Sequence, residues 1–152
     1  MFDGGVSLEK IRYVPDNAVK FIKSYTITSD DLFVSVAGTL GVIGFIPNEL
    51  NGANLTENAD KLTNIQCHKK FLYYLLTSGA IRKLVENTST KGAQPKLALY
   101  ALASLDVTLP SRPEQTKIAN FLTAIDEKIQ HITQQIEATK QYKQGLLQQM
   151  FV

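Results

Sequence analysis

From Ile118 onward, apolar side chains recur with alternating gaps of four and three: Ile118, Leu122, Ile125, Ile129, Ile132 and Ile136. Six successive positions at that spacing place a narrow apolar stripe along one helix and match the core positions of a heptad, the pattern through which helices pair. Thr139 and Lys143 break the stripe in polarity but not in spacing, and Leu146 and Met150 resume it. The helix opens at Ser111-Arg112-Pro113-Glu114. Ser111 is expected to cap the first-turn amides while Glu114 returns a bond to the cap amide. Pro113 fits the first turn, where no helical donor is needed. A helix of about 40 residues is roughly 60 Å long, more than one face of a domain of about 110 residues covers.

Part of the stripe is therefore expected to meet another helix, the alternative being a fold-back against its own domain. In a parallel pair Lys143 would face its symmetry mate, and the two like charges would repel. Antiparallel pairing sets Lys143 near Ile118 and Leu122 of the partner helix, where its aliphatic stem packs and its ammonium reaches water. The expected interface is an antiparallel homodimer through Ile118, Leu122, Ile125, Ile129, Ile132, Ile136 and Leu146.

Ahead of Pro110 the pattern is different, with short apolar runs between turn signals, so a module boundary falls there. Residues 1–109 are expected to form an α+β domain of short strands and helices, and residues 110–152 a coiled-coil spacer. Residues 31–37 and 42–46 predict two strands joined through Gly38-Thr39-Leu40-Gly41 as a hairpin. The asparagine-rich stretch 47–61 predicts an exposed loop, and residues 62–67 a further strand. Residues 69–78 and 81–87 predict two short helices broken at Gly79. Residues 88–96, with Gly92 and Pro95, predict a second loop, followed by a buried segment over residues 97–109.

Composition excludes several classes. The 44% hydrophobic content with 7 Phe and 6 Tyr suffices for a core. The longest apolar run, residues 97–105, is about half of the roughly 20 residues that span a bilayer. No membrane association is expected. The N-terminus has no signal-like basic and apolar regions, and the single cysteine, Cys67, closes no internal disulfide, so a reducing cytoplasm is the simplest location. Cys67 with His68 and His131 does not make a zinc set. Cys67 and His68, as neighbours on a strand, would point to opposite faces and form no thiol–base pair. The Gly38–Gly41 segment lacks the spacing of a phosphate-binding loop. Neither a catalytic constellation nor a cofactor site is expected.

Charge gives no global basic face: residues 1–110 carry 11 basic and 10 acidic side chains, and residues 111–152 carry 5 and 4. The polar loops nevertheless have the chemistry of nucleic-acid readers, since Asn and Gln pair with adenine edges and Ser, Thr and Lys serve phosphates and bases. The loop residues with that chemistry are Asn54, Asn58, Lys61, Lys91 and Gln94, the alternative being scattered solvated side chains.

Three blocks resemble one known family. Residues 31–41 (DLFVSVAGTLG), residues 90–97 (TKGAQPKL) and residues 109–119 (LPSRPEQTKIA) occur in the order found in specificity subunits of type I restriction-modification enzymes. The Pro-x-x-x-Glu-Gln-x-x-Ile-Ala segment leading into the long helix is the most specific. The resemblance covers roughly residues 10–150. It implies a target-recognition domain, in which Ser35, Thr39 and Lys96 join the loop residues expected at DNA, followed by a spacer helix that pairs antiparallel with a second such helix. It also implies no catalysis by the chain itself: a separate modification subunit methylates adenine and a separate restriction subunit translocates and cleaves. Partners implied are double-stranded DNA, both of those subunits, and a second copy or another specificity half. Family domains carry strands ahead of the block matched by Lys10 to Asp31, so the chain is expected to be the C-terminal portion of a subunit or a half-subunit. The alternative is a structural or dimerisation fragment that does not read DNA unaided.

Overall fold

The computed structural model describes residues 4–6, 8, 9, 11–88, 97 and 99–151. Its centre is a three-stranded antiparallel sheet in the order β2-β1-β3, with β1 at Leu32–Ser35, β2 at Ile43–Phe45 and β3 at Ala59–Leu62. The β1–β2 hairpin forms as expected, pairing Leu32 with Phe45 and Val34 with Ile43. All four residues of β1 are buried, because both faces of the sheet are covered. Successive side chains of a strand alternate between faces. Val34 and Ile43 accordingly pack with Leu76, Ile81 and Leu97 on one side, while Phe33 packs with Ile27 and Ile46 on the other.

Two expectations are corrected here. The third strand is Ala59–Leu62 and not residues 62–67, so it overlaps the expected strand only at Leu62. Asp60 and Lys61 hide the strand pattern, yet Lys61 sits half-buried because its Nζ donates to the Thr26 carbonyl. The chain then turns at Asn64, whose φ of 52° is a left-handed conformation that Asn tolerates. Residues 47–61 are also more than an exposed loop. They hold a helical turn at Asn48–Leu50, and Leu50, Ala53 and Leu55 cover the Phe33 face of the sheet.

The helices follow the sequence more closely. Helix α1 is a single turn, Asp16–Val19. Helix α2 spans Lys69–Leu75 and α3 spans Ile81–Thr88, with a wide turn at Leu76–Ala80 between them. Gly79 breaks the pair with φ of 123°, a value other residues rarely adopt. Gly44 is required by close approach: a Cβ there would lie 2.6 Å from both the Gly5 nitrogen and the Phe33 ring. Within the segment 97–109, Leu97 and Ala101 are buried and α4 occupies Leu99–Ala103, but Val107 and Leu109 are exposed, so burial ends short of the expected boundary. Helix α5 then runs unbroken over Arg112–Met150.

Candidate nucleic-acid interface

The start of α5 is held by a buried glutamine. The Gln115 side chain accepts the backbone N–H of His68 at 2.8 Å and donates to the Pro110 carbonyl at 2.8 Å, so one amide joins the starts of α2 and α5 and the turn before α5. Arg112 adds a bond to the Gln66 carbonyl at 2.8 Å. The expected capping box does not form: Ser111 makes no side-chain cap bond. With Gln115 securing this end of the helix and the Ser111 carbonyl accepting the Gln115 N–H, the entry is fixed without it. His68 is likewise a cap rather than a strand neighbour of Cys67, because its Nδ1 accepts the Phe71 N–H at 3.3 Å.

Further along, Ala119 is fully buried and Ile118, Leu122 and Thr123 are half-buried. The Tyr74 hydroxyl donates to Asp126 at 2.6 Å, with the Thr123 hydroxyl 3.4 Å away. Helix α5 thus packs on α2 for about its first four turns. From Ile125 onward the seam positions Ile125, Ile129, Ile132, Ile136, Leu146 and Met150 are between 39% and 70% exposed, leaving an apolar row uncovered.

The expected DNA-contacting residues separate into groups. The N–H groups of Val36 and Ala37 bond to the Asn58 carbonyl, and the Leu97 N–H bonds to the Val36 carbonyl at 3.0 Å. One end of the sheet therefore gathers the hairpin turn with exposed Thr39, the exposed Asn58, and Leu97. Ser35 lies beneath, 4% exposed; its hydroxyl donates to the Thr39 carbonyl and accepts the Val42 N–H. That burial and those two bonds give Ser35, expected at DNA, the role of holding the turn. Asn54 and Lys61 converge elsewhere, on Thr26: the Thr26 hydroxyl donates to Asn54 at 3.1 Å and Lys61 donates to the Thr26 carbonyl. Lys91, Gln94 and Lys96 lie outside the described residues.

The sequence shows Gln115 within a motif but gives it no task, and neither Tyr74 nor Asp126 stands out in it. The available signal was a glutamine at the fourth position of an otherwise exposed helix start, a place where a buried polar group needs fixed partners.

Burial pushes the Cys67 thiol up, partly offset by the Arg112 charge and a backbone bond, which is the opposite of nucleophile activation. Burial and then donation to Asp126 push the Tyr74 phenol up, partly offset by Thr123. No group of three or more His, Cys, Asp or Glu among the described residues is placed to hold a metal. No helix there is long and apolar enough to cross a membrane.

Both raised groups are neutral when protonated, so the unfolded chain loses each proton first. Their stabilisation is complete below the ordinary thiol and phenol values of 9.0 and 10.0 and is lost as pH rises through the higher folded values. Thermal melts should therefore show the parent losing stability relative to Tyr74→Phe above pH 10. A parent that gains on the variant over that range contradicts the assignment.

A small, doubly covered sheet carrying a surface turn at one end is thus joined, through Gln115 and Tyr74, to a long helix whose apolar row is uncovered in the single chain. The chain matches the family described as type I restriction modification DNA specificity domain over residues 5–141, and it belongs to that family. It is 25% identical over 150 residues to the type I restriction enzyme HindI specificity subunit of Haemophilus influenzae, covering 95% of this chain and 32% of that protein. The crystal structure of an HsdS subunit from Thermoanaerobacter tengcongensis shares the fold, with a TM-score of 0.64 and 21% identity over 80% of this chain and 32% of that one. The chain thus spans about a third of the length of these relatives.

Proposed function

We propose that the chain is a non-catalytic DNA sequence-recognition unit of a type I restriction-modification system, working in the cytoplasm. It reads one half-site and directs a separate adenine methyltransferase subunit, with the restriction subunit joining the same assembly. The observation that carries this reading is the family match across 5–141, which includes both the sheet-centred domain and most of α5. The uncovered row from Ile125 to Met150 supports a helical partner. A second copy, antiparallel, satisfies the row and relieves Lys143 of a like-charged neighbour. Another specificity half could occupy the same face.

Base reading is assigned to the end of the sheet where Thr39 and Asn58 are exposed, together with Gln94, and phosphate contact to Lys91. Asn58→Ala or Gln94→Ala should weaken binding to a selected site more than to random duplex, by about 1–3 kcal/mol where a bidentate base contact is lost. Lys91→Ala should weaken both alike and flatten the salt dependence. Fluorescence anisotropy with duplexes selected from a randomised pool checks this. Equal losses on selected and random duplexes for Asn58→Ala and Gln94→Ala would remove their base-reading role. Failure of the unmodified chain to enrich any sequence would favour a dimerisation fragment that does not read DNA.

A further inference from the structure

We infer that the Tyr74–Asp126 hydrogen bond sets the angle of α5 against the recognition domain, making Tyr74 and Asp126 positioning residues for the distance between half-sites. The inference rests on the DNA-reading function proposed above, but its mechanical part stands on geometry alone. Helix α5 is fixed at its base by the buried Gln115, bonded to His68 and Pro110. The outermost hydrogen bond from α5 to the domain among the described residues is the one from Tyr74 to Asp126, at 2.6 Å. Past Asp126 every described residue of α5 except Gly145 is exposed.

Two fixed points define an angle. Gln115 and Asp126 are 11 residues apart, about 16 Å along the axis, whereas Gln115 and Met150 are 35 residues apart, about 52 Å. A tilt about Gln115 that moves Asp126 by about 1 Å therefore moves Met150 by about 3 Å, close to the 3.4 Å rise of one base pair. Slack at this one hydrogen bond is magnified to the scale on which neighbouring half-site gaps differ. Ala119 and the half-buried Leu122 pack between the two points and oppose sliding. They lie nearer the pivot than Asp126 and so have less leverage over tilt. Tyr74 is also well braced: its ring meets that of Tyr73 edge-on, with centroids 5.2 Å apart, and the Tyr73 ring packs in turn on Phe45 at 4.9 Å. The hydroxyl that fixes the helix is thereby referred back to the sheet that carries the reading surface.

The test uses the full chain with Cys67→Ser and spin labels at Glu57→Cys and Gln148→Cys, diluted with unlabelled chain so that only distances within one protomer are measured. Tyr74→Phe and Asp126→Ala should broaden the label-to-label distribution, while Asp126→Asn, which keeps an acceptor oxygen, should restore most of its sharpness. In parallel, each chain selects sites from a randomised 40-base-pair duplex pool. Tyr74→Phe should accept gaps one base pair either side of the parent's preferred gap. An unchanged distance distribution in Tyr74→Phe and Asp126→Ala overturns the inference. A broadened distribution with an unchanged gap preference overturns the link to half-site spacing. Broadening together with no enriched site for the parent leaves the angular lock standing and instead removes the DNA-reading function.

Discussion

Ile129→Asp should turn a self-associating chain into a monomer while leaving its fold intact. In the single chain Ile129 is 57% exposed, so the new carboxylate is well hydrated and the domain loses little. In the pair it would sit within the apolar row between Ile125 and Ile132, without a cationic partner. Desolvating an unpaired carboxylate costs several kcal/mol, and a symmetric pair incurs that cost once per chain. At about 1.4 kcal/mol per factor of ten, the dimer constant should weaken by roughly four orders of magnitude or more. Light scattering at micromolar concentration should report a dimer for the parent and a monomer for the variant, with indistinguishable circular dichroism of the domain. A parent that is already monomeric at that concentration defeats the pairing of identical chains.

The second large effect concerns the fold. Gln115→Leu keeps the size of the side chain but leaves the His68 N–H and the Pro110 carbonyl without their partner. Each such group costs about 1–3 kcal/mol when left unsatisfied in a buried setting, a considerable fraction of the roughly 5–15 kcal/mol that stabilises a domain. The melting temperature should fall by on the order of 10 °C. Gln115→Glu should not spare the fold at neutral pH: its carboxylate still accepts the His68 N–H, but the charge is desolvated and one oxygen faces the Pro110 carbonyl. If Gln115→Leu melts within a degree of the parent, the junction between α2 and α5 is held by packing around Ala119 instead.

What the sequence discloses depends on whether a local pattern or a distant partner decides the structure. The hairpin over residues 31–46, the break at Gly79 and the unbroken helix over Arg112–Met150 are written in glycine placement and in apolar period, which are local signals. Strand β3 is not, because Asp60 and Lys61 disguise it and only pairing with β1 makes it a strand. Residues 47–61 look like solvent-exposed loop for the same reason: Leu50, Ala53 and Leu55 become a cover only once Phe33 is beneath them.

The candidate site divides similarly. Thr39 and Asn58 lie on the surface as polarity suggests, but Ser35 is drawn under the turn by two hydrogen bonds of its own hydroxyl. Asn54 and Lys61 are engaged with Thr26, 28 and 35 residues away in sequence, a coupling that no short pattern encodes. The same holds for Gln115 with His68 and for Tyr74 with Asp126, whose meaning is the position of one helix on another.

In the function proposed above, two identical chains, paired through antiparallel helices, read two half-sites related by the same two-fold axis. Co-expressing the chain with a matching modification subunit in a host lacking adenine methylation, and mapping methylated adenines by single-molecule sequencing, tests that claim most directly. The predicted result is methylation within an interrupted palindrome whose half-site centres lie no more than about 18 base pairs apart, the span of a helix of roughly 60 Å on straight duplex. An asymmetric methylated motif, or no methylation beside a modification subunit shown to be active with its own specificity subunit, would contradict it.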